Sequence, residues 1–304
     1  MDISVIIVNY NTKDVTRQCL NSIFEKTKDV QFEVIVVDND SSDGSKEMLS
    51  SYNGIKYIQS GTNLGFGKAN NLAYTYASGK YILLLNSDTY LLNNAIKLFV
   101  EEFEKMDESV GCIGCRLKDP NGNYNHSFGQ IPDLKGAMKA AVGFYLKPFG
   151  IRFRSFDERN YDCYDVFEVG YVMGADLCIR KSVIEKQGLF DPDFFMYYEE
   201  SEMQNRYKKN GFKSMIVSGP EIVHLENAST KKQGKKYTYK NRRMFFGSYI
   251  LYMKKKYGFF RYGLFRFIFL FFIPIFFASY YSLRESFEMV KMTLSPIKKI
   301  YLSK

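Results

Sequence analysis

Four short polar segments carry most of the chemistry available to this sequence. Asn9-Tyr10-Asn11-Thr12, Asp38-Asn39-Asp40-Ser41, the stretch from Gly61 to Asn71, and Asn86-Ser87-Asp88 each follow an apolar run. Asn, Asp, Ser and Gly are ordinary turn and cap residues, which accounts for any one of these loops. An aspartate directly after an apolar run at both Asp38 and Asp88 points instead to a shared site. Asp88 is the candidate metal ligand, because one or two carboxylates suffice for Mg²⁺ or Mn²⁺ where phosphates and waters complete an octahedral shell. His224, closing the run Glu221-Ile222-Val223, is a second group that could reach such an ion. A separate acidic run, Glu199-Glu200-Ser201-Glu202, opens a helical pattern beside the aromatic stretch Phe194 to Tyr198. Carboxylates there suit the helix dipole, and one of them beside an aromatic wall also suits a general base with a tuned pKa.

Other motifs are weaker. The three glycines of Gly61–Gly67 precede a helix, as a phosphate cradle would, but their spacing is not G-x-G-x-x-G and no P-loop follows. A dehydrogenase is excluded by Asn and Tyr in the first strand–helix turn, where that fingerprint needs glycines. His126 follows an Asn121-Gly122 turn and is expected on a surface loop. Cys112-Ile113-Gly114-Cys115 lies in a strand pattern with no second pair, so its thiols are expected to pack rather than bind zinc.

The elements that must hold these residues alternate. Ile3–Asn9, Glu33–Asp38, Ile55–Gln59, Tyr81–Asn86 and the weaker Val110–Leu117 are apolar runs of strand length. Helical patterns lie between them, such as Asp14–Lys26 with Val15, Leu20, Ile23 and Phe24 on one face. Strands apolar on both faces and separated by helices call for an α/β fold with a mostly parallel, doubly wound sheet. Sites on such sheets lie at the carboxyl ends of the strands, where the four polar segments fall. Glu168–Arg180 reads as extended with a glycine break, Glu199–Asn210 as a helix, and Phe128–Val166 as an irregular segment suited to one side of a site or a lid.

Composition divides the chain. The 304 residues are 46% hydrophobic and 25% charged, which excludes disorder, and five scattered cysteines suit a reducing compartment. Met1-Asp2 leads straight into the first apolar run with no basic leader, as expected of a cytosolic protein. Residues 228–304 hold 17 Lys and Arg against 2 Asp and Glu, a net of +15, while the rest carries 25 against 31, a net of −6. The same tail holds 21 of the 51 Phe and Tyr. Its basic, aromatic pattern over Tyr237–Lys256 leads to the apolar run Phe267–Ala278, shorter than the ~20 residues of a spanning helix. An element lying in the cytoplasmic leaflet is expected, with a span or a buried homodimer helix as alternatives. Nucleic acid is not the expected partner, since twelve consecutive apolar residues do not suit it.

Val5–Thr12, Val36–Ser45, Asn63–Asn71, Leu83–Thr89, Gly174–Arg180 and Gly188–Arg206 together resemble, in order, the family 2 glycosyltransferases of the GT-A fold. The likeness is to the rhamnosyltransferase-like branch of bacterial cell-surface polysaccharide synthesis, and it runs from about residue 3 to residue 260. It implies a transferase domain over 1–227, with a nucleotide-sugar half (1–117) and an acceptor half (118–227), and a membrane-associating region over 228–304. Asp38 would contact the base, and Asn9, Tyr10, Asn63, Asn70 and Ser87 would line the nucleotide pocket. Asn86-Ser87-Asp88 stands where the family has D-x-D, with asparagine replacing the first aspartate. His224 matches a histidine that completes the metal shell. The catalytic pair falls on Glu199-Glu200, with Glu200 where the base is usually aspartate, so both glutamates stay in play. Gly174, Ala175, Glu202 and Arg206 match donor- or acceptor-binding positions. The implied reaction is inverting transfer from a nucleoside-diphosphate sugar, dTDP-rhamnose or a UDP-sugar, to a glycan acceptor carried on a polyprenyl diphosphate. A sugar nucleotidyltransferase would need a glycine-rich loop after the first strand. A non-catalytic scaffold would be expected to lose Asp88 or Glu200.

Overall fold

The computed structural model describes residues 1–146, 165–225, 239–278 and 290–291. In chain order the elements are β1 (Ile3–Asn9), α1 (Lys13–Lys26), β2 (Phe32–Asp38), α2 (Ser45–Ser50), β3 (Ile55–Gln59), α3 (Phe66–Tyr74), β4 (Tyr81–Asn86), β5 (Thr89–Leu91), α4 (Ala95–Lys105), β6 (Val110–Cys115) and β7 (Phe128–Gly129). They continue with α5 (Leu134–Leu146), β8 (Phe167–Val169), β9 (Tyr171–Val172), β10 (Asp176–Arg180), α6 (Lys181–Gln187), α7 (Glu199–Lys209), β11 (Lys213–Val217), β12 (Ile222–His224), α8 (Tyr239–Lys256) and α9 (Phe259–Ala278).

The chain forms two compact units. The first comprises Met1–Gln130, Glu158–Asp193 and Glu199–Lys236, and the second Ile131–Asp157, Phe194–Tyr198 and Tyr237–Lys304. The first unit is built on an eight-stranded sheet of order β3-β2-β1-β4-β10-β6-β11-β8. The strands β3, β2, β1 and β4 run parallel, as do β6 and β11, with β10 and β8 antiparallel to their neighbours. The sheet is therefore mostly parallel, as the apolar runs require. Alternate residues of β1 enter two cores: Ile3, Val5 and Ile7 join the side chains of α1 and α4 on one face, and Ile6 packs on the other with α3, α6 and α7. Two faces buried by helices explain why these strands lack polar alternation.

Three details differ from the sequence expectation, the first being that Leu134–Leu146, inside the segment expected to be irregular, forms the helix α5. The buried face of α1 is Thr16, Cys19, Leu20, Ser22 and Ile23, with Phe24 at its rim against Phe32 and Tyr52. Thr16 takes an inward position because its hydroxyl has a partner there, Asn9 Oδ1 at 2.7 Å. The strand β6 stops at Cys115, since Leu117 turns its N–H to Ser127 Oγ at 2.8 Å. Cys112 and Cys115 are both buried, and burial pushes their thiols up, so the pair is packing.

A small β5–β12 ladder stands beside the main sheet, pairing Thr89 with His224. Another, β7–β9, pairs Phe128 with Val172. The second unit packs α8 against α9 through Leu251, Tyr252, Met253 and Phe265, with Phe194 in the same cluster. Tyr252 Oη and Lys256 Nζ both donate to the Pro132 carbonyl, tying the start of α5 to α8.

Candidate active site

At the end of β1, Asn9 is fully buried and its amide is saturated. Its Nδ2 donates to Asp38 Oδ1 at 2.7 Å and Ser41 Oγ at 3.0 Å, and its Oδ1 accepts from Thr12 and Thr16. Thr12 also meets Ser87 at 3.0 Å, so one hydrogen-bond chain joins the ends of β1, β2 and β4. Asp38 is likewise buried, its second oxygen accepting from Ser41 N. Asn63 belongs to a neighbouring knot in which Asn39 donates to Asn63 Oδ1 and accepts from Leu64 N. Asn70 caps the carbonyl of Phe66 within α3, and Tyr10 is 44% exposed. These residues come together at the carboxyl edge of the parallel strands, as the fold rule requires. Thr12, Thr16 and Asn39 were not singled out from sequence: their roles are partnerships across the turns, and nothing in their types distinguishes them from ordinary loop residues.

Asp88 and His224 meet. The β5–β12 ladder sets His224 opposite Thr89, the residue after Asp88, and Leu225 N donates to the Asp88 carbonyl at 2.9 Å. His224 Nε2 lies 3.2 Å from Asp88 Oδ1 and 3.4 Å from Asn86 Nδ2, with both Asp88 and His224 side chains mostly buried. Two ligands in adjacent octahedral positions at ~2.1 Å from an ion stand about 3 Å apart, so this spacing fits a shared Mg²⁺ or Mn²⁺. Among the described residues no cluster of three or more His, Cys, Asp or Glu surrounds it. Two protein ligands are the number expected where a diphosphate and waters supply the rest.

Ala175 approaches from β10, its carbonyl accepting Asn86 N at 3.0 Å. At Gly174 a Cβ would come within 3.1 Å of the Phe66 ring, so this buried position has little room for a side chain. The next residue, Asp176, is fully buried. Burial raises its pKa to about 7, against hydrogen bonds from Cys115 and the charge of His224, which lower it.

The helix α7 begins at Glu199 after two tyrosines, Tyr197 and Tyr198, with φ of 70° and 66°. Left-handed backbone at consecutive non-glycine residues is costly, and such strain gathers at functional sites. Gln204 fixes the helix against β9 by bonding both polar groups of Val172 at 2.8 Å. Glu199 is buried, and Glu200 is half-buried with an Oε2 that is out of solvent and has no hydrogen-bond partner among the described residues. Burial raises the Glu200 pKa, partly offset by the backbone hydrogen bond and by the charge of His126. His126 is exposed, as expected, yet the β7–β9 ladder and the bond from Met173 N to Ser127 O set its loop where its charge reaches this carboxylate. That placement has no signal in the sequence. Glu202 and Arg206 pair at 3.2 Å, and Arg206 donates to the carbonyls of Gln187, Gly188 and Leu189. Their observed contacts fasten the loop between α6 and α7. Residues 147–164 of the expected acceptor segment and the first part of the basic tail lie outside the described residues.

The model of glycosyl transferase family 2 matches residues 4–167. The chain is a family 2 glycosyltransferase. This transferase is 26% identical over 212 residues to the N-acetylglucosaminyl-diphospho-decaprenol L-rhamnosyltransferase of Mycobacterium tuberculosis, covering 65% of the chain and 67% of that relative. Among solved structures, S. aureus TarS 1-349 in complex with UDP-GlcNAc superposes with a TM-score of 0.56 at 18% identity, covering 96% and 79% of the two chains. The mannosyltransferase PcManGT of Pyrobaculum calidifontis, in complex with GDP-Man and Mn²⁺, gives 0.55 at 14% identity, covering 95% and 78%. Of a longer TarS chain the transferase spans 50%. The fold is the GT-A type.

Proposed function

We propose that this family 2 glycosyltransferase moves a sugar, with inversion, from a nucleoside-diphosphate sugar to a hydroxyl of a polyprenyl-linked glycan at the cytoplasmic face of the membrane. The observation that carries this reading is the convergence of Asp88 Oδ1 and His224 Nε2 at 3.2 Å beneath the polar strand ends. Asp88 and His224 would hold Mg²⁺ or Mn²⁺, which, when bound, offsets charge developing on the leaving diphosphate. The nucleotide would lie across Tyr10, Asp38, Asn63 and Ser87, on loops that Asn9 and Asn70 brace. Glu200 takes the proton of the acceptor hydroxyl while that oxygen attacks the anomeric carbon and the bond to diphosphate breaks on the opposite face. A carboxylate whose pKa burial raises is the better base, and Glu200 has an oxygen with no hydrogen-bond partner among the described residues to compete for that proton. Glu199, one residue earlier and more deeply buried, is the alternative base. Gly174 and Ala175 remain the proposed donor- or acceptor-binding positions, set beside Asn86 by the bond from Asn86 N to the Ala175 carbonyl.

Likeness to the mycobacterial L-rhamnosyltransferase favours rhamnose as the sugar; the donor proposed is then dTDP-rhamnose, with a UDP-sugar as the other choice. A lipid-linked acceptor agrees with the surface of the second unit, where Phe259, Phe260 and Phe267 are 87%, 88% and 68% exposed. Among the described residues no helix is long and apolar enough to cross a membrane; the association is read as interfacial from the exposed phenylalanines and the basic residues around them. Calorimetric titration with UDP, dTDP and GDP, each with and without Mn²⁺, tests the reading. Metal-dependent binding of one nucleotide, lost in Asp88→Ala, is the expected result; binding of none of them overturns it.

A further inference from the structure

Tyr198 stands one peptide bond before Glu199, with its backbone in a region that tyrosine seldom occupies. Tyr197 and Tyr198 take φ of 70° and 66°, and neither is glycine, the residue that adopts such angles without crowding a Cβ. A turn of this kind persists only where surrounding contacts over-determine it. Those contacts come from α8. The Tyr198 ring lies 5.1 Å from that of Phe245, 5.3 Å from Tyr249 and 5.7 Å from Tyr252, centroid to centroid. Tyr197 also meets Phe245, edge to face at 5.6 Å.

Phe245, Tyr249 and Tyr252 are spaced i, i+4, i+7, so their rings share one face of α8. The backbone is pinned as well, by Ser248 Oγ donating to the Met196 carbonyl at 2.7 Å. At the start of the segment Phe194 is fully buried in the cluster of Leu251, Tyr252 and Met253. Phe194–Tyr198 is thus held at both ends by α8 and belongs with it to the second unit, while the next residue, Glu199, belongs to the first. A chain has only two soft dihedrals per residue, so φ and ψ at Tyr198 set its path into the first turn of α7. That turn carries Glu199, Glu200 and Glu202.

We propose that Tyr198 is a positioning residue for the base: its ring, gripped by Phe245, Tyr249 and Tyr252, holds the left-handed turn that fixes how the Glu199 and Glu200 carboxylates are presented. That these glutamates supply the base rests on the function proposed above. The grip on Tyr198 does not.

Amide hydrogen exchange on the full chain tests the grip with no substrate. Each aromatic pair shifts a local opening equilibrium by roughly 2–10-fold, so Tyr198→Ala should speed exchange across residues 199–203 by ~10-fold or more, with β1 and β4 unchanged. Tyr198→Phe keeps the ring and should restore the wild-type rate. Tyr198→Gly relieves the backbone cost yet removes the ring; it should exchange as fast as Tyr198→Ala, whereas a turn held by backbone preference alone would tighten. Phe245→Ala removes a partner of both tyrosines at a position 36% exposed, so it reports even where the Tyr198 variants do not fold. Unchanged exchange at residues 199–203 in Tyr198→Ala or in Phe245→Ala overturns the proposal, and so does slower exchange in Tyr198→Gly. With dTDP-rhamnose and UDP-N-acetylglucosamine as donors, kcat of Tyr198→Ala should fall by up to ~10²-fold at unchanged donor KM and recover in Tyr198→Phe. A helix start that loosens as stated while kcat holds leaves the grip in place and sinks the reading of Glu199 and Glu200 as the base.

Discussion

In the proposed reaction Glu200 is the base, and its neighbours set the pH below which it is protonated. Replacing Glu200 by Gln keeps the shape and removes the base, so kcat should fall ~10²–10⁴-fold while nucleotide affinity measured by calorimetry is unchanged. Burial raises the Glu200 pKa above the ordinary glutamate value, and a base must be deprotonated to act. The acid limb of kcat/KM is therefore expected above that value, with activity lost as pH falls through it. The charge of His126 works in the opposite direction, favouring the ionised form, and Glu199 and Glu202 are the other titratable groups on the first turn of α7. In His126→Asn the acid limb should move to higher pH; a limb that stays in place or moves down counts against the coupling. Residue types singled out Asp88, Glu199, Glu200 and His224 as candidates, because carboxylates after apolar runs and a histidine late in the chain are uncommon, and the structure brings Asp88 and His224 together. Asp176 and His126 were not legible. Their meaning comes from which strands lie beside them, and residue type alone carries no record of that.

At the scale of elements, β10 is held by its last residue. Arg180 is buried, donates to the carbonyls of Val110, Phe103 and Met106, and lies over the Phe103 ring. Arg180→Met keeps the stem but removes every donor, and should cost about 3 kcal/mol or more in urea denaturation at unchanged slope. A second tight point is Gly79 before β4, where a Cβ would stand 2.4 Å from Ser4 N. The contact is with backbone, which cannot swing aside, so Gly79→Ala should destabilise the fold in the same assay. The first four strands could be read from the sequence almost to the residue, since a run buried on both faces and bounded by turns leaves little choice. The antiparallel entry of β10 between β4 and β6 could not, because an apolar run looks the same in either direction.

At the scale of the molecule, the charge and aromatic content concentrate where the second unit exposes its phenylalanines. Around α9, Phe260, Leu264 and Phe267 are exposed, while Phe265 and Phe269 turn inward, Phe265 fully buried and Phe269 packed against the same cluster. Arg261 and Arg266 fall on either side of the outward stripe at 100° per residue. Phe260→Ser with Phe267→Ser should reduce co-sedimentation with vesicles containing phosphatidylglycerol, leave nucleotide binding intact, and show the larger loss at high salt, where the basic residues no longer compensate. Unchanged sedimentation would remove this face from the membrane reading. The tail's composition announced a surface of this kind, and the pairing of α8 with α9, which decides which phenylalanines are outward, needed the structure.

The insertion of β10 also bears on how the chain is made. The family match ends at residue 167, and the strand that covers one edge of β4 comes later, at Asp176–Arg180. A ribosome adding ~5–20 residues per second takes roughly 5–20 s between Asn86 and Arg180. Through that interval Leu83, Leu84 and Leu85 lie on an unpaired strand edge, the kind of surface on which nascent chains stick to one another. Expression yield for this transferase should therefore respond to translation speed and chaperone supply over residues 87–180 more than to changes in its finished stability.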